Sequence, residues 1–167
     1  MKKIFKLIYQ FFTTIFIFEV DAKFKKVNKK RASVFLIKSL DEVKANKIVK
    51  KYFEETKFKL SRFKRKSKFI GLKRKNEIIC SGWIYFGNKW KIEEINKNIT
   101  LNNKYLLYDF ITEKKFRNMG YYKLLLNIIQ NQLRKKKLTI YSRSYNAKSI
   151  RAIEKSGFKM VGKLKKY

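Results

Sequence analysis

The stretch YDFITEKKFRNMGYYKLLLNII, residues 108–129, changes its pattern in the middle. Its first part is apolar and aromatic, which is typical of a β-strand, and its second part repeats apolar residues at helical spacing. Between them lies the short basic connection KKFRNMG, which contains one of only six glycines in the chain. The sequence therefore predicts a strand that passes into a helix through a turn that contains glycine.

The start of such a helix is suited to bind an anion. It offers about four backbone N–H groups without intrahelical partners and roughly half a positive charge. Gly120 lets the backbone approach an anion closely, and Arg117 and Lys123 add positive charge. The turn could hold a pyrophosphate, although the further glycines of the Walker A and Rossmann patterns are absent. The alternative interpretation is that Gly120 is needed only for the backbone conformation of the turn and that no anion binds there.

Composition excludes several kinds of catalysis. The chain has 167 residues, which is enough for one domain with a core. It has no histidine, so Ser-His-Asp and Cys-His mechanisms are excluded and no ligand set for a transition metal is present. Cys80 is the only cysteine, so no intramolecular disulfide can form. We expect a cytoplasmic protein without a metal.

The net charge of +32 has two explanations. A strongly basic chain is typical of proteins that bind nucleic acid or anionic membranes. Lys, Ile, Asn, Phe and Tyr also share AT-rich codons, and the chain is rich in these residues and lacks proline. Charge alone therefore identifies no partner, and we expect no specific nucleic acid.

The N-terminal part predicts an appendage, residues 1–30, before the main domain, residues 31–167. Its apolar run, residues 4–18, is interrupted by polar residues and is too short for a membrane span, which needs roughly 20 residues. No signal-peptide cleavage site follows it. We predict a short helix and then a strand, residues 15–20, packed on the core. The alternative interpretation is that residues 1–20 form an interfacial segment that contacts anionic lipid at a membrane surface.

The rest of the chain predicts one mixed domain with helices on the faces of a sheet. Ser39 and Glu42 predict a capping box, Asn146 a helix cap, and Gly157 a left-handed helix end. Residues 89–104 are polar and predict a strand fragment and a loop. The other elements are strand 33–38, helix 39–55, two strands within 67–87 that turn near Lys75, strand 105–112, helix 121–133, strand 138–142, helix 147–156 and strand 158–164.

Two motifs in this order resemble the GNAT superfamily of acyl-CoA N-acyltransferases. The family's Arg-x-x-Gly-x-Gly/Ala motif is matched by Arg117 and Gly120, with Tyr122 at the last position. A second motif is matched by Asn146, Ser149 and the sequence IEKSGF. The resemblance is close over 105–162, looser over 33–104, and does not include residues 1–30. It implies a mixed, mostly antiparallel sheet of six to seven strands, splayed between strands four and five and flanked by helices.

The resemblance also implies the binding of acetyl-CoA, or another acyl-CoA, between strands four and five. Backbone groups near Ile111 and Thr112 would pair with the pantetheine arm, and Asn146 and Ser149 would contact its other side. The pyrophosphate would lie at the turn that opens the helix. The residues assigned to that turn are Arg117, Asn118, Met119, Gly120, Tyr121, Tyr122 and Lys123.

An acyl acceptor must be a neutral amine, so a base should remove its proton. Asp109 is the candidate base, because it is the only carboxylate within the strand predicted at 105–112, which corresponds to the family's fourth strand. Pairing of Asp109 with one of the many lysines is the competing interpretation, and Glu93 and Glu94 are alternative bases.

In the family a tyrosine usually protonates the leaving thiolate, and this chain has Ile153 at that position. Tyr145 is the candidate acid and Tyr141 an alternative. The thiolate, with an intrinsic pKa of about 8.5, can also leave unassisted.

The acceptor is the least determined part of the prediction. A small-molecule or peptide amine is expected. An amino sugar nucleotide is favoured because Gly-x-Tyr resembles variants in bacterial GNAT proteins linked to surface-polysaccharide assembly. Trp83 and Tyr85 either line the acceptor pocket or pack in the core. A nucleic-acid-binding protein and a catalytically degenerate relative are the competing functions, and a homodimer stays open.

Overall fold

The computed structural model describes residues 13–27, 32–56 and 60–166 of the chain. Two short 3₁₀ helices, Leu60–Arg65 and Lys114–Phe116, occur among its regular elements. The strands and helices are β1 (Thr14–Asp21), β2 (Ser33–Ile37), α1 (Leu40–Ala45), α2 (Lys47–Thr56), β3 (Ser67–Arg74), β4 (Glu77–Phe86), β5 (Lys89–Ile92), β6 (Lys97–Thr100), β7 (Tyr105–Thr112), α3 (Tyr121–Gln132), β8 (Lys137–Arg143), α4 (Ala147–Lys155) and β9 (Lys159–Lys165).

Within the described residues, seven strands form the main sheet, in the order β2-β3-β4-β7-β8-β1-β9. Neighbouring strands are antiparallel except for β7 and β8, which run parallel. The predicted mixed, mostly antiparallel sheet is therefore confirmed. β5 and β6 form a separate two-stranded hairpin, where the sequence had predicted a strand fragment and a loop.

β1 is an internal strand of the main sheet. Glu19 on β1 lies opposite Thr139 of β8 on one side and Lys159 of β9 on the other. The strand predicted at 15–20 is thus confirmed, but it belongs to the sheet of the 31–167 unit rather than to an appendage. The helix predicted before it lies outside the described residues.

Helices cover both faces of the sheet because each face presents apolar side chains. α3 and α4 pack on one face, where Leu125, Ile129 and Ile153 are fully buried. α1 and α2 cover the opposite face, where Phe53 and Trp83 are buried. The predicted apolar stripes of α3 are thus directed into the core. Among the described helices, none is long and apolar enough to cross a bilayer.

The helix predicted at 39–55 is two helices, because Asn46 interrupts it. The Asn46 side chain accepts a hydrogen bond from the backbone N–H of Val49 at 3.1 Å, and this caps α2. At the start of α1 the Ser39 hydroxyl accepts from the N–H of Glu42, as the capping box requires. The Glu42 carboxylate accepts from the N–H of Lys38 rather than from that of Ser39.

Candidate active site

β7 and β8 separate into a V, as predicted for strands four and five. They pair only where residues 105–107 lie opposite residues 138–140. Beyond this point β7 continues along β4 to Thr112, and β8 continues along β1 to Arg143. The gap between them leaves β7 main-chain groups free to pair with an extended ligand.

A β-bulge shapes β7 at the point of separation. Tyr108 lies opposite Trp83 and Ile111 lies opposite Ser81, so two residues of β7, Asp109 and Phe110, face one residue of β4. Asp109 has a left-handed backbone with φ of 49°, which aspartate and asparagine tolerate better than most residues. No residue pattern in the sequence indicates this bulge.

Arg62 fixes the Asp109 carboxylate. Its Nη2 forms an ion pair with Asp109 Oδ2. The guanidinium also lies over the rings of Trp83 and Tyr108, 5.3 and 5.4 Å from their centroids. The Asp109 side chain is 42% exposed, and no described residue donates a hydrogen bond to its Oδ1. One carboxylate oxygen thus remains for a ligand. Arg62 was missed because it lies in a stretch with many similar cations.

Tyr141 on β8 lies across the opening from Asp109. Burial raises the pKa of its phenol, and the carboxylates of Glu94 and Asp109 raise it further. Tyr141 therefore keeps its proton at neutral pH and can act as a donor. Glu93, by contrast, is exposed and pairs with Lys91 at 3.8 Å.

Tyr145 lies in the turn between β8 and α4 and is 55% exposed. Arg143 Nη1 donates a hydrogen bond to its hydroxyl at 2.8 Å, and Arg143 Nη2 lies 3.6 Å from Glu94. Arg143 thus links the predicted acid to one of the alternative bases.

The turn before α3, residues 117–123 and here called the α3 turn, is open to a ligand. Gly120 has φ of 80°, and no atom lies within 4 Å of the position that a Cβ would take. Arg117 Nε donates to the Thr112 carbonyl at 3.0 Å and so ties this turn to the end of β7. Met119 and Lys123 are exposed, whereas the side chain of Tyr121 is buried.

Tyr122 is directed away from the open side of Gly120. Its ring lies 5.5 Å from that of Phe110 on β7. Burial raises the pKa of its phenol, and a hydrogen bond with the Ser149 side chain opposes this shift. The bulky residue at the last motif position therefore does not fill the α3 turn.

The second motif opens α4 and directs Ile153 inward. Asn146 Oδ1 accepts from the N–H of Ser149 at 3.3 Å, which is the predicted cap, and Gly157 has the predicted left-handed backbone with φ of 91°. Ile153 is fully buried. It packs in the core instead of facing the V, so α4 supplies no acid at that position.

Pairing along the end of β7 sets which groups face the V. The N–H of Glu113 donates to the Ile79 carbonyl of β4 at 2.9 Å, whereas the Thr112 carbonyl accepts from Arg117. Ile111 lies opposite Ser81, and its side chain is 36% exposed. The main chain of Thr112 is therefore directed toward the V, on the side where the pantetheine arm was predicted to pair.

We expect Cys80 to be unreactive in the folded protein, because burial raises the pKa of its thiol to about 12. At pH 8 its thiolate fraction is then about a thousandfold below that of an exposed cysteine, and the reaction with a disulfide reagent slows accordingly. Absorbance of the released thiol measures the rate, and the urea-unfolded chain is the control. Rapid labelling of the native protein would contradict the buried environment.

Comparison with known proteins supports the fold. No protein-family model and no curated protein matches the chain. Among solved structures, a protein assigned to the GNAT family of acetyltransferases from Novosphingobium aromaticivorans is similar with a TM-score of 0.61 at 12% identity, over 91% of this chain. A GCN5-related N-acetyltransferase-like protein from Streptococcus suis is similar with a TM-score of 0.58 at 10% identity, over 98% of this chain.

A conserved protein of unknown function from Staphylococcus epidermidis is also similar, with a TM-score of 0.62 at 10% identity over 91% of this chain. The chain spans 61% of the length of the Novosphingobium protein, 65% of the Streptococcus protein and 59% of the Staphylococcus protein. At these identities the likeness concerns the arrangement of strands and helices.

Proposed function

Since the chain has the fold of GNAT N-acetyltransferases, we propose that it transfers an acetyl or other short acyl group from acyl-CoA to a primary amine. The observation that carries this proposal is the combination of a splayed β7–β8 pair with an unobstructed glycine turn beside it. Main-chain groups of β7 and of the α3 turn are then both available to one extended, anionic ligand.

In this proposal the α3 turn binds the donor. Backbone N–H groups from Asn118 to Lys123 hold the pyrophosphate at the positive end of α3. The cationic side chains of Arg117 and Lys123 strengthen the attraction. The main chain at Ile111 and Thr112 pairs with the pantetheine arm as an added strand would, and Asn146 and Ser149 lie on the α4 side.

The reaction proceeds by direct attack in a ternary complex. Asp109 Oδ1 accepts a proton from the acceptor ammonium, and the neutral amine attacks the thioester carbonyl carbon. The C–N bond forms, the C–S bond breaks, and the thiolate leaves with the bonding electron pair. The attacking nitrogen, which is positively charged after the C–N bond forms, releases its second proton to solvent. Tyr145, Tyr141 or solvent donates a proton to the thiolate. No residue forms a covalent intermediate, so neither histidine nor the buried Cys80 is required.

The acceptor is an amine of a small molecule, such as an amino sugar nucleotide, or of a peptide. A cytoplasmic location fits an enzyme that uses acyl-CoA. Peripheral contact with a membrane surface through residues 1–20 remains part of the proposal. It is tested by co-sedimentation of the chain with anionic vesicles.

Replacing Gly120 with Ala is expected to weaken acetyl-CoA binding by about ten- to a hundredfold, because the new Cβ occupies the approach to the pyrophosphate. The free protein should lose only roughly 1–2 kcal/mol, the cost of a left-handed backbone for a residue other than glycine. Titration of the melting temperature with acetyl-CoA at about 200 mM salt measures both effects.

Gly157→Ala is the matched control, since Gly157 also has a positive φ but lies at the end of α4. It should lower the melting temperature similarly and leave acetyl-CoA binding unchanged. Equal acetyl-CoA affinity in the two variants would refute the pyrophosphate site. If the unmodified protein responds only to oligonucleotides, and only at low salt, the basic nucleic-acid-binding function replaces the proposal.

A further inference from the structure

A basic pocket with a volume of about 670 Å³ lies on the α1–α2 face of the sheet, at the end of β4 opposite the α3 turn. Lys64, Arg65 and Lys66 line one side of it, and Lys89 and Lys91 line the other. None of the described residues that line it is a carboxylate. Its volume lies in the range of small-molecule sites, which is roughly 300–1,000 Å³. We call it the basic pocket.

The cations of the basic pocket are largely available to a ligand. Lys91 alone among the five forms an ion pair with a described carboxylate, at 3.8 Å from Glu93, and both side chains are at least half exposed. Such exposed pairs contribute little stability. An anion that enters the basic pocket therefore meets several cations at little cost in existing contacts.

Aromatic rings form the apolar part of the basic pocket. The ring of Tyr85 lies 5.0 Å from that of Trp90, and its hydroxyl donates to the Lys89 carbonyl at 3.1 Å, which fixes the ring at the β4–β5 turn. Phe86 also lines the basic pocket, but its ring packs against that of Tyr105, 4.7 Å away, on the opposite face of the sheet. Cations next to half-buried aromatic rings, here those of Tyr85 and Trp90, are a combination that binds phosphate together with a flat group.

The basic pocket adjoins the proposed catalytic opening. Trp90 lines it and also packs against Tyr108, with 4.4 Å between ring centroids. Burial raises the pKa of Tyr108, and the hydrogen bond with Ser67 and the nearby cations of Arg62 and Arg65 oppose the shift. Arg65, which lines the basic pocket, is thus also near Tyr108. The end of the basic pocket at Phe86 lies opposite Tyr105, which precedes Asp109 by four residues on β7. This end of the basic pocket is therefore roughly 13 Å from Asp109 along the strand.

On the basis of the proposed function, we infer that the basic pocket binds the phosphate end of the acceptor, so that the acceptor is an amine that carries a phosphate or diphosphate group. The amine then lies at Asp109 and the phosphate at Arg65 and the lysines. Two sources share this chemistry, a phosphorylated small amine and a nucleotide-linked amine. They differ in whether a base lies on Tyr85.

The test measures binding of two probes, inorganic pyrophosphate and ADP, to the full chain saturated with CoA, so that the α3 turn is already occupied. In the variant Lys64→Gln/Arg65→Gln/Lys66→Gln we expect both probes to bind at least about tenfold more weakly. The control Lys136→Gln/Lys155→Gln/Lys165→Gln removes three exposed lysines from elsewhere on the chain and should stay within about twofold of the unmodified protein. If the first variant fails to fold, Lys89→Glu in the β4–β5 turn is used instead.

Tyr85→Ala distinguishes the two sources. Weaker binding of ADP with unchanged binding of pyrophosphate indicates a nucleotide-linked acceptor, and equal binding of both probes indicates a small phosphorylated amine. Either result supports the phosphate site.

Three results would overturn the inference. Equal weakening in both triple variants would mean that only net charge is measured. Complete displacement of the probes by CoA would mean that the α3 turn is their only site. Binding of a single-stranded oligonucleotide at least about tenfold tighter than ADP would indicate a nucleic-acid surface instead. Failure of CoA itself to bind refutes the proposed function, and the probes then report on the basic pocket separately.

Discussion

Replacing Asp109 with Asn is expected to lower kcat by about 10²- to 10⁴-fold, the usual contribution of a general base. Asparagine keeps the side-chain shape and tolerates the left-handed backbone at this position, so the bulge should persist. The change removes the proton acceptor that faces the opening and replaces the ion pair with Arg62 by, at most, a hydrogen bond to the amide oxygen. Because the proposed donor site lies on the α3 turn, the dissociation constant for acetyl-CoA should not change. Steady-state kinetics with an amine acceptor and direct titration with acetyl-CoA measure the two quantities.

Glu94→Gln is the control for this prediction, since Glu94 is the other carboxylate at the opening. It should retain most of the activity. A large loss in Glu94→Gln with normal turnover in Asp109→Asn would transfer the role of base to Glu94. Tyr145→Phe tests the acid in the same assay, and an unchanged kcat would remove Tyr145 from the mechanism.

Stability is expected to fall steeply in alkali, by several kcal/mol between about pH 10 and pH 12. Among the described residues, five groups have pKa values raised mainly by burial, namely Tyr52, Cys80, Tyr108, Tyr122 and Tyr141. In the unfolded chain these groups lose their protons near their ordinary pKa values, about 8.5 for cysteine and 10 for tyrosine. The protonated forms are therefore favoured by folding, and that contribution is complete below about pH 8.5 and lost at higher pH.

The slope of the free energy of unfolding against pH gives the number of protons that the unfolded chain has released and the folded chain still holds. Each such proton contributes about 1.4 kcal/mol per pH unit. Urea unfolding from pH 7 to pH 11 gives the slope, and absorbance at 295 nm detects tyrosinate. We expect the buried tyrosines to ionise together with unfolding, and Tyr122→Phe to reduce the slope by one proton. A native protein whose tyrosines all titrate near pH 10 without unfolding would contradict the burial described above.

Much of the fold follows from local sequence signals. Ser39, Asn146 and Gly157 occupy the cap positions that their side chains or backbone freedom predict. α3 was predicted from apolar periodicity, which is reliable when a helix buries one wide stripe. Asn46 was misread because asparagine caps a helix as readily as it occurs within one, and only packing decides between them. The position of β1 had no local signal, because strand pairing depends on residues more than a hundred positions away.

The candidate site was predictable in part, for the same reason. Arg117, Gly120, Asn146 and Ser149 carry spacing that the sequence displays. The ion pair of Arg62 with Asp109 could not be predicted from spacing. Arg62 is one of 44 cationic residues, and its contact with Asp109 depends on the tertiary structure. Trp90 was also missed, because residues 89–104 had no predicted pairing. The alternation in KWKI and KNIT, on both sides of a polar turn, is the signal that could have revealed the hairpin.

The internal position of β1 has a consequence for how the protein is made. On the ribosome β1 emerges before both of its partners, and it must wait more than a hundred residues for β8 and β9. The arm of the V that β8 forms is thus completed only late in synthesis, by contacts between distant parts of the chain. Such long-range closure slows folding and leaves an apolar strand exposed in the meantime. Early chaperone contact with residues 14–21 is the expected cellular counterpart.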